Sequence, residues 1–224
     1  MAATPPLPRS EILPGVWLDV RLGVFFEHLR LLVVADLHWG YVESHRSRGH
    51  LLPFWGDDEI EQRLNGLIND YAPQEMLWLG DSLHTLAGRS RAEQFLARTS
   101  LPTIVLAGNH DARWPAVKGR ILHRERFCFH HGDQPVTETL PPSTVEVVGH
   151  HHPAVRFRDG AGMRLKLPAL VASPRRLVLP AFSPWAAGTP WMITEKDESL
   201  WAISPRRLFK IPSASPFTPN AMAS

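Results

Sequence analysis

Clusters of Asp, Asn and His are the parts of this 224-residue chain whose side chains could carry out chemistry. Four clusters follow apolar runs: DLH at 36 to 38, GDSLH at 80 to 84, GNHD at 108 to 111 and GHHH at 149 to 152. A fifth, HHGD at 130 to 133, lies between the last two. Carboxylate, amide and imidazole groups together suit divalent metals such as Mn, Fe and Zn. The clusters therefore predict a site for a pair of divalent metal ions.

Three apolar runs of strand length precede the first three clusters, at 31 to 35, 76 to 79 and 104 to 107. Between them, Asp57 and Asp58 open a helical pattern that ends before Pro73, with apolar residues at Ile60, Leu64, Leu67, Ile68 and Tyr71. Ser90 and Glu93 form a capping-box pattern that predicts a second helix from about 91 to 99. Strands alternating with helices in this way predict a parallel α/β sheet.

Ligands of an open parallel sheet gather beyond the carboxyl ends of its strands. The first three clusters should therefore share one rim, which would hold Asp36, His38, Asp81, Asn109 and His110.

Side chains two residues apart in extended backbone point the same way. Asp36 and His38 can thus share one metal, and His150 and His152 can face a common centre while His151 points away. The same alternation allows only one residue of the His130 and His131 pair to face inward. It does not decide which.

The remaining chain reads as short β-like segments. We expect a Pro-rich irregular arm at 1 to 14, then a hairpin of Val16 to Val20 and Val24 to Phe26, and a disordered tail at 212 to 224. No helix is expected after residue 111, so a second sheet packed on the first, with helices outside, is the simplest architecture. One domain, at 15 to 211, suits this length.

Composition narrows the class of protein. Net charge is +2, but residues 1 to 111 carry −5 and residues 112 to 224 carry +7, which fits either an anionic substrate or an ordinary solvated surface. The single cysteine, Cys128, excludes an intramolecular disulfide and reads as a small core residue. No apolar stretch reaches the roughly 18 to 20 residues of a membrane helix, and the opening residues lack a secretory pattern, so a cytoplasmic protein is expected.

Taken in order, the clusters resemble the motifs DxH, GD, GNH(D/E), H and GHxH of the calcineurin-like metallophosphoesterases, over residues 31 to 153. DLHWG, RSRGHLLP, LGDSLH and the LPAF at 179 to 182 further resemble one branch, the bacterial ligase-associated DNA damage response endonucleases, over roughly 15 to 190. Tyr41 departs from that pattern, because it stands where DLHxGK has Lys.

The resemblance implies an α/β fold in which a two-sheet β-sandwich is flanked by helices in four layers, α-β-β-α. It also implies a dinuclear site. Asp81 would bridge the two metals, and His131 is preferred to His130 because the family ligand commonly precedes Gly, here Gly132. The full implied ligand set is Asp36, His38 and His152 on one metal, Asn109, His131 and His150 on the other, and Asp81 on both.

The activity implied is hydrolysis of phosphodiesters, with nucleic acid as substrate and an endonuclease role in DNA repair. Two metals about 3.5 to 4 Å apart clamp a phosphoryl group and supply a bridging hydroxide for in-line attack. His110 would assist the leaving group, and Asp111 would orient the His110 ring. Mn is the first expectation for the metals, with Fe, Zn or Mg as alternatives. A DNA ligase, helicase or exonuclease would be the partners.

Two other functions fit the same residues. A phosphomonoesterase or small-molecule phosphodiesterase could use the same metals. A non-catalytic scaffold could keep the fold alone, although His110 and all seven ligand positions are present.

Further residues could contact substrate. His84 follows Asp81 by three residues and fits either a contact near the metals or a capping role. Arg46 and Arg48, with His45 and His50, fit either a phosphate-binding wall or a solvated basic loop. Arg113 and Trp114 could contact a base or sugar by stacking.

Overall fold

The first half of the chain forms a sheet in this computed structural model, which describes residues 7–111, 113–158, 162, 164–186, 188–193 and 196–212. The strands follow in chain order: β1 (Arg9–Leu13), β2 (Val16–Asp19), β3 (Val24–Phe26), β4 (Leu31–Val34), β5 (Glu75–Leu79), β6 (Thr103–Leu106) and β7 (Val117–Gly119). Pairing is antiparallel from β1 to β4 and parallel from β4 to β7. The predicted hairpin and parallel sheet are thereby confirmed.

Three α-helices connect these strands: α1 (Tyr41–Arg46), α2 (Gly56–Tyr71) and α3 (Arg89–Arg98). α2 and α3 confirm the helical predictions, but the capping box is wrong. α3 begins at Arg89 with no side-chain cap, and Glu93 accepts hydrogen bonds from Arg89 and Trp114 instead. The sequence did not predict α1, since six residues are too few to establish a helical period.

The second half forms a mixed sheet of nine strands: β8 (Ile121–Arg124), β9 (Phe127–His130), β10 (Val145–Val148), β11 (Pro153–Arg158), β12 (Arg164–Ser173), β13 (Arg176–Val178), β14 (Thr189–Pro190), β15 (Ser199–Ser204) and β16 (Arg207–Ile211). β9, β10 and β13 pair in parallel. Within the described residues after 111 there is no helix, as predicted.

The structure corrects the irregular arm predicted at residues 1 to 14. Residues 9 to 13 form β1, the edge strand of the first sheet, which pairs with β2 through main-chain hydrogen bonds. Its residues are half-buried or exposed, so the strand carries no apolar run that a sequence pattern could detect. Residues 1–6 and 213–224, which include most of the expected tail, lie outside the described residues.

Aromatic side chains hold the two sheets face to face. Phe26 of β3 meets Phe127 and Phe129 of β9, with ring centroids 4.9 and 5.2 Å apart. Nearer the polar clusters, the Phe182 N–H donates to the Ala35 carbonyl at 2.8 Å, which joins the second half of the chain to the end of β4. Together these contacts confirm the two-sheet sandwich. Among the described residues, no helix has the length and apolar character needed to cross a membrane.

Candidate metal centre

The polar clusters meet at one end of the sandwich. Asp36, Asp81 and Gly108 follow the carboxyl ends of β4, β5 and β6 in the first sheet. His131 and His150 follow the parallel strands β9 and β10 in the second. The structure therefore brings the clusters together at one end of the sandwich, and both sheets contribute residues to this rim.

One donor group consists of Asp36, His38 and His152, whose potential ligand atoms all lie within 4.8 Å of one another. Asp36 is fully buried and accepts the His150 backbone N–H at 3.0 Å, so the second sheet's loop is fastened to the first sheet's carboxylate. His152 Nε2 lies 2.9 Å from Asp36 Oδ1.

The other donor group consists of Asp81, His131 and His150, within the same 4.8 Å. His131 Nδ1 donates to the Leu79 carbonyl at 3.0 Å, and its Nε2 lies 3.4 Å from Asp81 Oδ2. His130 instead faces Glu146, at 3.3 Å. The structure thus places His131, and not His130, in the centre.

Left-handed backbone positions the donors. Among the described residues, nine non-glycine residues have positive φ, and five are predicted ligands: Asp36 (56°), His38 (52°), Asp81 (46°), His150 (65°) and His152 (44°). The alternation argument for these pairs is therefore wrong in its premise, because none of these five has extended backbone. The His150 and His152 pair also separates between the two donor groups. Such strain concentrates at functional sites.

Glycines in the motifs make room for the donors. A Cβ on Gly108 would stand 2.1 Å from Asp81 Oδ1, and one on Gly149 would stand 2.7 Å from Asp36 Oδ2. At Gly80, a Cβ would stand 2.5 Å from the His131 ring. Each distance is too short for two heavy atoms, so the glycines of GD, GNHD and GHHH are steric requirements of the site.

Burial and pairing set the charge state of the donors. Burial lowers the pKa of His38 to about 4, against attraction from Asp36 and Asp81, so this imidazole is neutral as a metal ligand must be. Burial opposes ionisation of Asp81, but its contacts with His131 and the His110 backbone N–H lower its pKa to about 2. Burial likewise opposes the charge on His131, yet Asp81 and Asp36 raise that pKa to about 9, so a metal that binds His131 near neutral pH must displace a proton.

These donors fit a pair of divalent cations. His38 Nδ1 is buried without a hydrogen-bond partner among the described residues, which is costly unless a further group binds there. His150 Nδ1 and His131 Nε2 face each other at 3.2 Å, so a proton or a cation must lie between these lone pairs. The His131 bond to the Leu79 carbonyl is the arrangement that orients a metal-binding imidazole.

The structure corrects the role predicted for Asp111 of the GNHD loop. Asp111 does not orient His110, because its carboxylate accepts the backbone N–H groups of Ser82, Leu83 and Gly108. Burial raises the pKa of Asp111 against those bonds, and the residue ties the GNHD loop to the GDSLH loop. Asn109 is exposed on the same loop, and its role as a ligand stays a prediction.

His110 is held by a different group. Its Nδ1 lies 3.1 Å from the His84 carbonyl oxygen, to which it can donate. Its Nε2 lies 3.9 Å from Asp81 Oδ2. His84 thus contributes its backbone to the site, and its ring stacks on the His110 ring at 5.6 Å. Of the two alternatives for His84, the structure supports the contact near the metals, and the following helix α3 has no side-chain cap.

The basic and aromatic residues predicted to contact substrate have different outcomes. Arg46 lies in α1 and not in a loop. Its Nη1 donates to the Leu52 carbonyl at 2.7 Å, and its guanidinium lies over the Phe54 ring. Arg48 and Arg113 are exposed, and their contact with substrate stays a prediction. Trp114 is buried against Trp78 and cannot stack on a base, so that prediction is wrong.

The sequence missed an aromatic and basic wall beside the centre, formed by Tyr41, Trp55, Trp185 and Arg63. A local signal was available, because Trp55 and Trp185 stand in the Pro-containing segments PFWG and SPWA, which are typical of loops.

The chain matches the model of a known protein family. The model of the calcineurin-like phosphoesterase family matches residues 29–163, which is more than half of the chain and includes all seven predicted ligands. The chain belongs to the calcineurin-like phosphoesterase family. It is accordingly a metal-dependent phosphoesterase, a hydrolase that uses divalent metals.

Two solved structures are similar to the chain to different degrees. The Pseudomonas putida nuclease MPE has a TM-score of 0.72 and 24% identity, over 92% of this chain and 100% of that one. The E. coli phosphoesterase Yfce has a TM-score of 0.46 and 16% identity, over 81% and 97%. The first likeness shows the shared fold. No curated protein sequence matches the chain.

Proposed function

We propose that this phosphoesterase hydrolyses phosphodiester bonds of nucleic acid, as an endonuclease of cytoplasmic DNA repair. The observation that carries the reaction class is the pair of adjacent donor groups, in which Asp36 of one lies 4.0 Å from His131 of the other. Asp81 lies on the shared rim, and a carboxylate has two oxygens with which to bridge two cations. Support for the substrate comes from the sequence resemblance and from the nuclease named above.

Seven residues would hold the metals: Asp36, His38 and His152 on one, Asn109, His131 and His150 on the other, and Asp81 on both. When bound, such a pair polarises a phosphoryl oxygen and makes water nucleophilic near neutral pH. Mn is our first expectation, because the donors mix imidazole with carboxylate and amide oxygen.

His110 would handle the proton of the leaving oxygen. The His84 carbonyl accepts from Nδ1 and so leaves Nε2 on the rim side, beside Asp81. The His110 side chain is 37% exposed, which admits a substrate oxygen to Nε2. Asp111 supports this geometry indirectly, since it fixes the loop that carries His110.

A substrate panel tests the proposal. The protein is stripped of metal, reloaded with Mn, Zn, Fe or Mg, and assayed on mono- and bis-nitrophenyl phosphate, single-stranded and duplex DNA, and RNA. We expect cleavage of the diester and of DNA, restored best by Mn. Turnover of the monoester alone would assign a phosphomonoesterase, and turnover of the small diester without any nucleic acid would assign a small-molecule phosphodiesterase. A DNA ligase, helicase or exonuclease would be sought as partner only after DNA cleavage is seen.

A further inference from the structure

A cavity of about 610 Å³ opens beside the candidate metal centre. His152 of one donor group lines it, and so does Trp55, which precedes α2. Ser183, Pro184 and Ala186 also line the cavity, and they flank Trp185 in the sequence. The cavity therefore connects the reacting end of the sandwich to an aromatic loop that the proposed chemistry does not use.

Aromatic rings also connect the centre to that loop. His110 stacks on His84, and Tyr41 lies 4.7 Å from the His84 ring. Trp185 is parallel to Tyr41, with an interplanar angle of 1° and centroids 6.0 Å apart. Trp55 stacks on Trp185 at 4.9 Å. Trp55 thus ends a row of rings that begins at the predicted catalytic histidine.

Trp55 has an open face. Trp185 covers one side of its indole, yet Trp55 is still 48% exposed. The neighbouring Phe54 and Leu51 are 68% and 92% exposed. Adjacent large apolar side chains that remain exposed mark binding surfaces more often than ordinary ones. About half of the Trp55 side chain is therefore open to solvent where the row meets the cavity.

Among the described residues that line the cavity, Lys166 is the cation without a carboxylate partner. The lining includes the cations Arg21, Arg63 and Lys166 and one carboxylate, Glu59. Arg63 is fixed by Glu59 and by the Phe182 carbonyl, and Lys166 Nζ donates to the Gly188 carbonyl at 3.0 Å. Arg21 is paired with Asp19 and Asp70. An apolar cavity with a few polar groups at fixed positions is typical of a ligand site, and the charge of Lys166 suits a phosphate.

We propose that this cavity is a nucleotide subsite, in which Trp55 stacks on an unpaired base next to the scissile phosphodiester. The assignment rests on the proposed function, and it names which part of the substrate the chain recognises. A base within a duplex is stacked on its neighbours and cannot reach the indole, so the subsite selects single-stranded segments. Lys166 lines the same cavity and would attract a flanking phosphate.

Binding without turnover tests the subsite. Fluorescence anisotropy of a labelled single-stranded DNA dodecamer is measured in EDTA, with wild type, Trp55→Ala and Trp55→Phe. Base stacking predicts about tenfold weaker binding for Trp55→Ala and near wild-type binding for Trp55→Phe. Phe209→Ala is the matched control, since Phe209 is an aromatic residue of similar exposure, 41%, outside the cavity lining. It should bind like the wild type.

An abasic scan identifies the base. Each nucleotide of the dodecamer is replaced in turn by an abasic residue. In the wild type, one or two positions should lose about tenfold in affinity, and Trp55→Ala should abolish that dependence. Equal affinity of Trp55→Ala and wild type, equal loss at every position, or no binding of the wild type would each overturn the subsite. EDTA prevents metal-dependent cleavage, so these binding results do not depend on the activity panel. Absence of nucleic-acid cleavage in that panel would overturn the proposed substrate, whereas the binding results test the subsite.

Discussion

The candidate metal centre and the aromatic cavity lie side by side but are built in opposite ways. In the centre, Asp36 and His131 are 0% and 1% exposed, and each bonds to backbone from a different part of the chain. In the cavity, Trp55 is 48% exposed and is held chiefly by stacking on Trp185. A rigid donor set suits chemistry that requires fixed distances, whereas an open ring tolerates bases of different shape.

Backbone strain separates the two regions further. The five left-handed donors each cost on the order of 1–3 kcal/mol, and such residues persist only where the surrounding structure fixes them. Backbone bonds between the loops supply that constraint, as where His38 N–H donates to the Asp81 carbonyl at 3.0 Å. The contrast predicts that changes at the metal donors alter chemistry and metal content together, while changes in the cavity wall alter affinity alone.

The largest expected effect comes from Asp81→Asn. The amide keeps the size of the side chain and an oxygen to accept the His110 backbone N–H, but it loses the charge that both metals would share. We expect loss of bound metal by elemental analysis, and a fall in phosphodiesterase activity of at least roughly 10⁴-fold, since the metals contribute several kcal/mol. Asp70→Asn, at an exposed position on α2, should keep both. Full metal content in Asp81→Asn would show that Asp81 is not a shared ligand.

His110→Ala separates catalysis from metal binding inside the centre. Loss of proton transfer to the leaving oxygen should lower turnover by roughly 10² to 10⁴-fold. Metal content should stay near that of the wild type, because His110 belongs to neither donor group. A leaving group of low pKa, such as nitrophenol, needs no proton, so bis-nitrophenyl phosphate should lose much less activity than DNA. Metal loss in this variant would instead make His110 a ligand.

Sequence predicted the centre better than the cavity for a physical reason. Asp and His at the ends of buried strands are unusual residues in unusual places, so Asp36 and Asp81 could be recognised from the order of the clusters together, and the family resemblance chose His131 over His130. The backbone between them could not be predicted, because left-handed φ at Asp36 or His150 depends on bonds from the opposite sheet.

The same limit explains two errors and one omission. Asp111 was assigned to its neighbour His110, but its carboxylate reaches backbone amides near residue 82, which lies far away in sequence. Ser90 and Glu93 matched a capping pattern, yet a contact with Trp114 took the carboxylate. Trp55 and Trp185 are 130 residues apart, so only the fold brings their rings together.

Gly108→Ala tests how tightly the centre is packed. An added Cβ would overlap Asp81 Oδ1 and the Asp81 backbone nitrogen, at 2.1 and 2.2 Å. Overpacking of this kind costs about 1–3 kcal/mol of stability, and displacement of Asp81 should weaken metal binding as well. Denaturant unfolding and metal titration measure the two effects. Gly119→Ala is the matched control, since its nearest neighbour would be 4.0 Å away. Wild-type metal affinity in Gly108→Ala would mean that the loop adjusts without moving Asp81.

The smallest effect is expected where the two regions join. Asp57, two residues after Trp55, accepts the backbone N–H of Gly40, which follows the DLH motif. Burial raises its pKa from 3.8 to about 6, against the stabilising Gly40 bond. Between these pH values the unfolded chain loses the Asp57 proton while the folded chain keeps it, so this residue makes the protein less stable as pH rises from about 4 to 6.

Asp57→Asn should therefore remove that loss of stability. The amide oxygen can still accept the Gly40 N–H, and the side chain no longer ionises. Relative to the wild type, the free energy of unfolding of the variant should rise by on the order of 2 kcal/mol between pH 4 and pH 7. Urea unfolding across this range measures it, with the exposed Asp197→Asn as control. An unchanged slope would mean that Asp57 is ionised without penalty, and that the joint between the centre and the aromatic loop is more hydrated than its burial indicates.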